Sequence, residues 1–289
     1  MDRLSRPHLT VVMDTNNKDT TLVISGTGKT GRRIVQRLRE RGLPVRSASR
    51  AGATPFDWED PATWGPVLRG ASSAYVSFFP DLAVPGAPEA IAALSRQALG
   101  LGVRRLVLLS GRGEVEAQRA EQALQASGAD WTVVRCSWFD QNFSEGYLLH
   151  PVLAGEVALP VGDVPEPFVD VDDVADVAVA ALTEDGHAGQ VYELTGPRSL
   201  TFGEAVEEIG RATGRNLRFT PVAIDDYEAG LAAHGVPADV AGLLRYLFTE
   251  VLDGRNATPA DGVQRALGRQ PRDFTVYARD AAAAGAWRG

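Results

Sequence analysis

Short apolar runs alternate with amphipathic stretches through the first half of the chain. Thr21-Leu22-Val23-Ile24-Ser25 is β-branched and bounded by glycine, which predicts a buried strand. Beyond Gly31, Ile34, Val35, Leu38 and Leu43 recur at helical spacing among Arg32, Arg33, Arg37, Arg39, Glu40 and Arg41. Gly42 ends that helix and Pro44 blocks its continuation. A strand over Val45–Ser49 follows. The rhythm repeats with strands over 72–79, 103–110 and 131–135 and helices over 88–101 and 114–127. Strands separated by single helices pair in parallel through right-handed crossovers. The predicted fold class is α/β, a Rossmann-type doubly wound parallel sheet.

Beyond residue 140 the pattern loosens. Phe168 to Ala175 begins a further strand-to-helix unit, with Asp172 or Asp173 as the helix N-cap and the helix running to Leu182. Gln190–Leu194 reads as a last strand. Thr201 stands three residues before Glu204, the spacing of a capping box. Residues 225–289 are mostly helical, broken at 235–237 and 256–259. With no repeat and no low-complexity tether, the change of pattern at 140–160 marks a lobe boundary.

Composition narrows the function. The chain has 289 residues, 44% of them apolar and 23% charged, which is ordinary for a globular protein. A net charge of −8 argues against direct contact with nucleic acid or a membrane surface. The single cysteine, Cys136, excludes an internal disulfide or a cysteine-based metal site, and no metal is expected. No apolar run approaches the roughly 20 residues of a membrane helix, and no signal peptide is evident, so the expected location is cytoplasmic. Only two of the 29 basic residues are lysines, Lys18 and Lys29.

Gly26-Thr27-Gly28-Lys29-Thr30-Gly31 lies between the first strand and its helix. Gly26 permits a tight turn, Gly28 lets a diphosphate approach the backbone, and Gly31 lets helix and strand pack closely. The phosphate would sit on the unpaired N–H groups at the helix start. The second strand ends without an acid, and Arg50 stands where a guanidinium could meet a 2′-phosphate, which favours NADP(H) over NAD. Asp57 and Trp58 follow a third-strand position and either reach an adenine or form a surface turn. The expected organisation is a flexible tail over 1–20, an NADP-binding domain over 21–150 with 168–195 returning to it, and a dependent, mainly helical substrate lobe over 151–289.

A tyrosine with a lysine four residues later is one way to supply a proton in reductases. None of the six tyrosines has one. Ser110 lacks the glycine pattern of a nucleophile elbow, Cys136 reads as core, and His187 reads as a solvated turn residue. Three groups remain as proton donors. They are His150 (otherwise a surface histidine), Tyr147, and Glu114 (otherwise a dipole-stabilising residue at a helix start).

The glycine loop with its strand resembles the NmrA-like branch of the atypical short-chain dehydrogenases/reductases. So do Leu108-Leu109-Ser110-Gly111, Trp131–Arg135 with Trp138-Phe139-Asp140-Gln141-Asn142-Phe143, and Pro167–Ala175. The resemblance covers nearly all of the chain after residue 20. It implies an extended Rossmann fold with a small C-terminal lobe and NADP(H) in the cleft. It places Ser77, Phe78, Phe79 and Ser110 at the cofactor and Trp138, Phe139 and Asn142 at the substrate wall. The expected function is NADPH-dependent reduction of a small conjugated carbonyl, quinone or similar acceptor. The alternatives are an NADP(H) sensor without turnover and an NADP-dependent isomerase or epimerase. The expected partner is a small-molecule substrate, with monomer and homodimer both left open.

Overall fold

The computed structural model describes residues 20–288; the tail expected over 1–20 lies almost entirely outside them. In chain order the elements begin with β1 (Thr20–Ile24), α1 (Lys29–Glu40), β2 (Val45–Ala48), α2 (Trp64–Leu68), β3 (Ala71–Val76) and α3 (Ala87–Gly100). Then come β4 (Arg105–Gly111), α4 (Val115–Gln125), β5 (Asp130–Cys136), α5 (Asn142–Glu145), α6 (Leu149–Ala154) and β6 (Glu156–Leu159). The chain continues through α7 (Val171–Thr183), β7 (Gln190–Leu194), α8 (Phe202–Thr213) and β8 (Arg218–Pro221). It ends in α9 (Ile224–Ala233), α10 (Ala238–Tyr246), α11 (Gly262–Leu267) and α12 (Phe274–Ala283).

Six strands form one parallel sheet in the order β2-β1-β3-β4-β5-β7. Alternation along the strands sends side chains to two cores. Leu22, Ile24, Leu106 and Leu108 meet Ile91 and Leu94 of α3 and Leu124 of α4 on one face. Val23, Val107 and Val134 meet Ile34 and Leu38 of α1 and Val174 and Val177 of α7 on the other. Covering both faces is what near-continuous apolar strands require. A third core, built from Phe143, Phe168, Phe202, Phe248, Phe274 and Trp287, fills the smaller lobe. Among the described residues no helix is long and apolar enough to cross a membrane.

Three local expectations are corrected, and one small sheet was not foreseen. Residues near Asp57 form no strand of the sheet, only isolated bridges from Ser49 to Pro55 and from Asp57 to Asp60. Phe168–Val171 is likewise not a strand; Val169 makes a single bridge to Phe139. The N-cap of α7 is Asp170, not Asp172 or Asp173, because Asp170 keeps an extended backbone and accepts the Asp172 N–H at 2.8 Å. Asp173 is instead fully buried and paired with Arg269 and Arg272. Finally, β6 and β8 form a separate two-stranded parallel sheet in the small lobe. The capping box of Thr201 and Glu204 is present, with both reciprocal hydrogen bonds formed.

Candidate active site

The carboxyl edge of the sheet opens into a cleft of about 520 Å³. Its first wall is the glycine loop. Ser25 takes a left-handed backbone (φ 57°), rare for a residue with a side chain, and its carbonyl accepts the Gly28 N–H at 2.8 Å. A Cβ at Gly26 would collide with the Ser47 hydroxyl, and one at Gly31 with the Ser25 backbone. At Gly28 a Cβ would approach only the Ser25 carbonyl, at 3.2 Å, so its outer side is open. Helix α1 starts with no side-chain cap and no acid in its first turn, leaving the positive end of its dipole for an anion. This cradle fits a dinucleotide diphosphate. Thr30 is buried and accepts the Tyr75 hydroxyl, while Thr27 is exposed at the tip of the loop.

Lys29 faces across the cleft rather than out to solvent. Its Nζ donates to Asn142 Oδ1 at 2.7 Å, joining the loop to the segment after β5. The ammonium is seated so closely that a Cβ at Gly146 would lie 2.9 Å from it. Burial lowers the lysine pKa from its ordinary value, opposed by the nearby Glu145 carboxylate.

The second wall follows β3, where Ser77 to Leu82 line the cleft. Phe78 packs on Trp58 at 4.7 Å, and Trp58 Nε1 donates to the Ser77 carbonyl. Phe79 is 54% exposed, and the Arg50 guanidinium lies over its ring at 4.3 Å. Arg50 has no carboxylate partner among the described residues. Asp57 is held in its own turn, where its carboxylate accepts the Glu59 N–H and its carbonyl accepts Trp64 Nε1. Arg50, Asp57 and Trp58 stand outside the cleft lining itself.

The third wall follows β4 and β5. Ser110 donates to Glu121 at 2.6 Å, and Glu121 in turn pairs with Arg135, so the hydroxyl faces a committed carboxylate and has no base to activate it. Glu114 is buried, and its Oε2 has no hydrogen-bond partner. Burial pushes its carboxyl well above the usual range, and the nearby Asp81 carboxylate pushes it further. Cys136 lines the cleft as a buried thiol, raised by desolvation and therefore unreactive. Trp138 serves both core and cleft: it lines the cavity while packing on Phe202 and Phe248 at 5.4 and 5.1 Å. Phe139, Asn142 and Tyr147 complete this wall, and Leu243 and Leu247 from the small lobe close the cleft.

The three proton-donor candidates separate. Glu114 and Tyr147 line the cleft, and desolvation of the Tyr147 hydroxyl holds its phenol well above the ordinary value. His150 is exposed on α6 and does not line the cavity, because the α6 helix turns it outward; it is dropped as a donor. His187 is also corrected: it is buried, not solvated, and its Nδ1 pairs with the Tyr192 hydroxyl at 2.9 Å. Sequence reasoning missed Ser25, Asp81, Arg112, Ser137, Leu243 and Leu247. The first four follow strand ends, where ligands of open α/β sheets bind, and that rule could have found them. The two leucines carry no such signal.

A doubly wound parallel sheet with a glycine-loop anion cradle opening on an apolar cleft defines a dinucleotide-binding protein of Rossmann type. No family model matches the chain. It is 32% identical to a (4-alkanoyl-5-oxo-2,5-dihydrofuran-3-yl)methyl phosphate reductase of Streptomyces griseus, over 91% of this chain and 98% of that one. It is 30% identical to an NAD(P)H azoreductase of Xenophilus azovorans, again over 91% and 98%. Among solved structures, the NADPH-dependent quinone oxidoreductase QOR2 of Escherichia coli complexed with NADPH superposes with a TM-score of 0.76 at 19% identity, covering 91% of this chain and 99% of that one. The chain belongs to the NmrA-like branch of the atypical short-chain dehydrogenases/reductases, and it is an oxidoreductase.

Proposed function

We propose that this protein uses NADPH to reduce a small conjugated carbonyl, quinone or azo-type acceptor, without a tyrosine-lysine pair. The observation that carries this reading is that the cleft of about 520 Å³ runs on from the glycine loop to an apolar end lined by Trp138, Phe139, Leu243 and Leu247. A sensor without turnover needs no acceptor-sized space there. Relatives named as reductases of an azo compound and of an oxo-dihydrofuran support the acceptor class.

The cofactor is NADP(H), and when bound it supplies the hydride. Gly26, Thr27, Gly28, Thr30 and Gly31 hold its diphosphate against the start of α1. Arg50 takes the 2′-phosphate as a charge-assisted fork. Ser77, Phe78 and Ser110 bound the nicotinamide side, with Trp58 backing Phe78 and Asp57 holding the turn that carries Trp58, while Phe79, which carries the Arg50 guanidinium on its ring, falls on the adenosine side. Lys29 keeps the loop and the Asn142 segment at a fixed separation. Trp138, Phe139 and Asn142 orient a flat acceptor and exclude water from the reacting face.

The test is label transfer from NADPH deuterated at C4. With an enone, where hydride forms a non-exchanging C–D bond, the reading expects deuterium in the product and one NADPH consumed per product; with quinone and azo acceptors, whose new O–H and N–H bonds exchange with water, it expects acceptor-dependent NADPH consumption. Label returned without net NADPH loss would instead indicate an isomerase or epimerase, and NADPH binding with no transfer to any acceptor would indicate a sensor.

A further inference from the structure

Two residues of the cleft lining, Glu114 and Ser137, bury a side-chain oxygen with no hydrogen-bond partner, and only Glu114 is an acid. Glu114 is 8% exposed, its Oε2 is fully buried with no hydrogen-bond partner, and the residue lines the cavity. It sits at the N-cap position of α4, yet it makes no side-chain cap, so the helix start does not account for its position. Gly111, at the carboxyl end of β4, makes room for it: any Cβ there would collide with the Glu114 carboxyl. No ion pair neutralises it among the described residues. The nearest strand-end cation, Arg112, is turned away to Glu193 at 3.1 Å and to the Asn256 carbonyl at 2.6 Å.

The groups around it are acids or weak acids. Asp81 comes from the segment after β3, Glu121 from α4, Cys136 from the end of β5, and Tyr246 from the end of α10. Asp81 also lines the cleft, and its carboxylate is oriented by the Ala83 N–H at 2.8 Å. Two carboxyls close together in a desolvated pocket do not both ionise; one keeps its proton. A buried, protonated carboxyl on a residue that lines the cleft is a hydrogen-bond and proton donor, the function that a missing tyrosine-lysine pair leaves unfilled.

We propose that Glu114, backed by Asp81 as a positioning residue, is the group that gives a proton to the acceptor during reduction. This inference rests on the reductase reading above. The acceptor gains hydride at one atom and the Glu114 proton at another. The Glu114 O–H bond breaks, an O–H or N–H bond forms on the acceptor, and NADPH is oxidised to NADP⁺. Water entering the open cleft restores the proton. The substrates favoured are those whose reduction creates a basic oxygen or nitrogen, such as enones and azo compounds. An anionic group placed against the two carboxyls would be repelled.

The decisive experiment combines infrared difference spectroscopy of the free protein with kinetics of the loaded one. Wild type at about pH 7 should show a protonated-carboxyl C=O band that is missing in Glu114→Gln. In Asp81→Asn that band should titrate at lower pH, because a neighbouring negative charge has gone. With an enone or azo acceptor, Glu114→Gln should lose about 100-fold in kcat/KM while NADPH affinity is kept. A cationic triarylmethane dye, which takes up hydride alone, should show a much smaller loss in the variant than the enone and azo acceptors do. Absence of the band, or unchanged enone and azo turnover in Glu114→Gln, would overturn the proposal while leaving the reductase reading intact. Wild type that binds NADPH but reduces none of these acceptors would overturn the reductase reading, and the donor with it.

Discussion

In the proposed reading Arg50 sets the preference for NADPH over NADH, and its surroundings make that proposal testable. The guanidinium is exposed, rests on the Phe79 ring and has no carboxylate to compete with a phosphate. Arg50→Ala should weaken NADPH binding by about 10- to 100-fold, the worth of a charged hydrogen bond or two, and leave NADH nearly unchanged. Fluorescence titration of both cofactors reads this, and equal losses would remove Arg50 from the 2′-phosphate. A second prediction concerns pH. Glu166 is buried, and desolvation pushes its carboxyl up to about 7 from an ordinary 4.5. The folded state therefore binds the proton more tightly than the unfolded one, so this residue costs stability as pH rises from about 4.5 to 7, by up to roughly 3 kcal/mol. Glu166→Gln should flatten the urea midpoint across that window and exceed wild type above it; a wild-type slope retained in the variant would refute this. The glycine loop was legible because its chemistry is local: three glycines, a strand before and a helix after. Asp81 and the burial of His187 were not, because each is defined by a neighbour from another element rather than by its own surroundings in sequence.

Helices and strands here are tied by arginine as well as by apolar packing. Arg135, on β5, pairs with Glu121 of α4 and at 2.9 Å with Glu193 of β7, so one side chain links two strands and a helix. The Glu121 side chain is only 2% exposed. Arg135→Met would leave that carboxylate with Ser110 alone, and removing one member of a buried pair costs about 3–5 kcal/mol. Chemical denaturation should show a loss of this order; a loss below about 1 kcal/mol would mean that water or Ser110 suffices. A related network joins α1 to α7, where Arg37 bonds Asp176 at 2.6 Å and Asp172 at 2.7 Å. The main-sheet strands could be read from their apolar runs because both of their faces are buried. β6 and β8 could not: each has four residues, the β8 residues are exposed or half-buried, and their pairing joins segments about 60 residues apart. The apolar run at 168–171 looked like a strand for the opposite reason. Its buried side chains serve the small lobe's core and the start of α7, not a ladder.

The whole molecule is organised so that the carboxyl edge of the sheet faces the small lobe. Leu243 and Leu247 reach the cleft from the C-terminal third of the chain and, with Trp138 and Phe139, give it an apolar lining where the proposed acceptor would sit. Leu243→Asp should therefore raise KM for flat apolar acceptors by about 10-fold, through roughly 1–2 kcal/mol of lost apolar burial, while leaving NADPH affinity unchanged. A parallel loss of NADPH affinity would place that leucine at the cofactor instead. In the proposed function a dinucleotide and an acceptor meet in this one cleft. The most direct measurement is NADPH titration of the purified protein by nicotinamide fluorescence, followed by addition of enone, quinone and azo acceptors while nicotinamide absorbance is recorded. The account predicts saturable NADPH binding, tighter than NADH, and acceptor-dependent oxidation with at least one of these classes. Absence of NADPH binding, or binding with no oxidation by any of them, would contradict it.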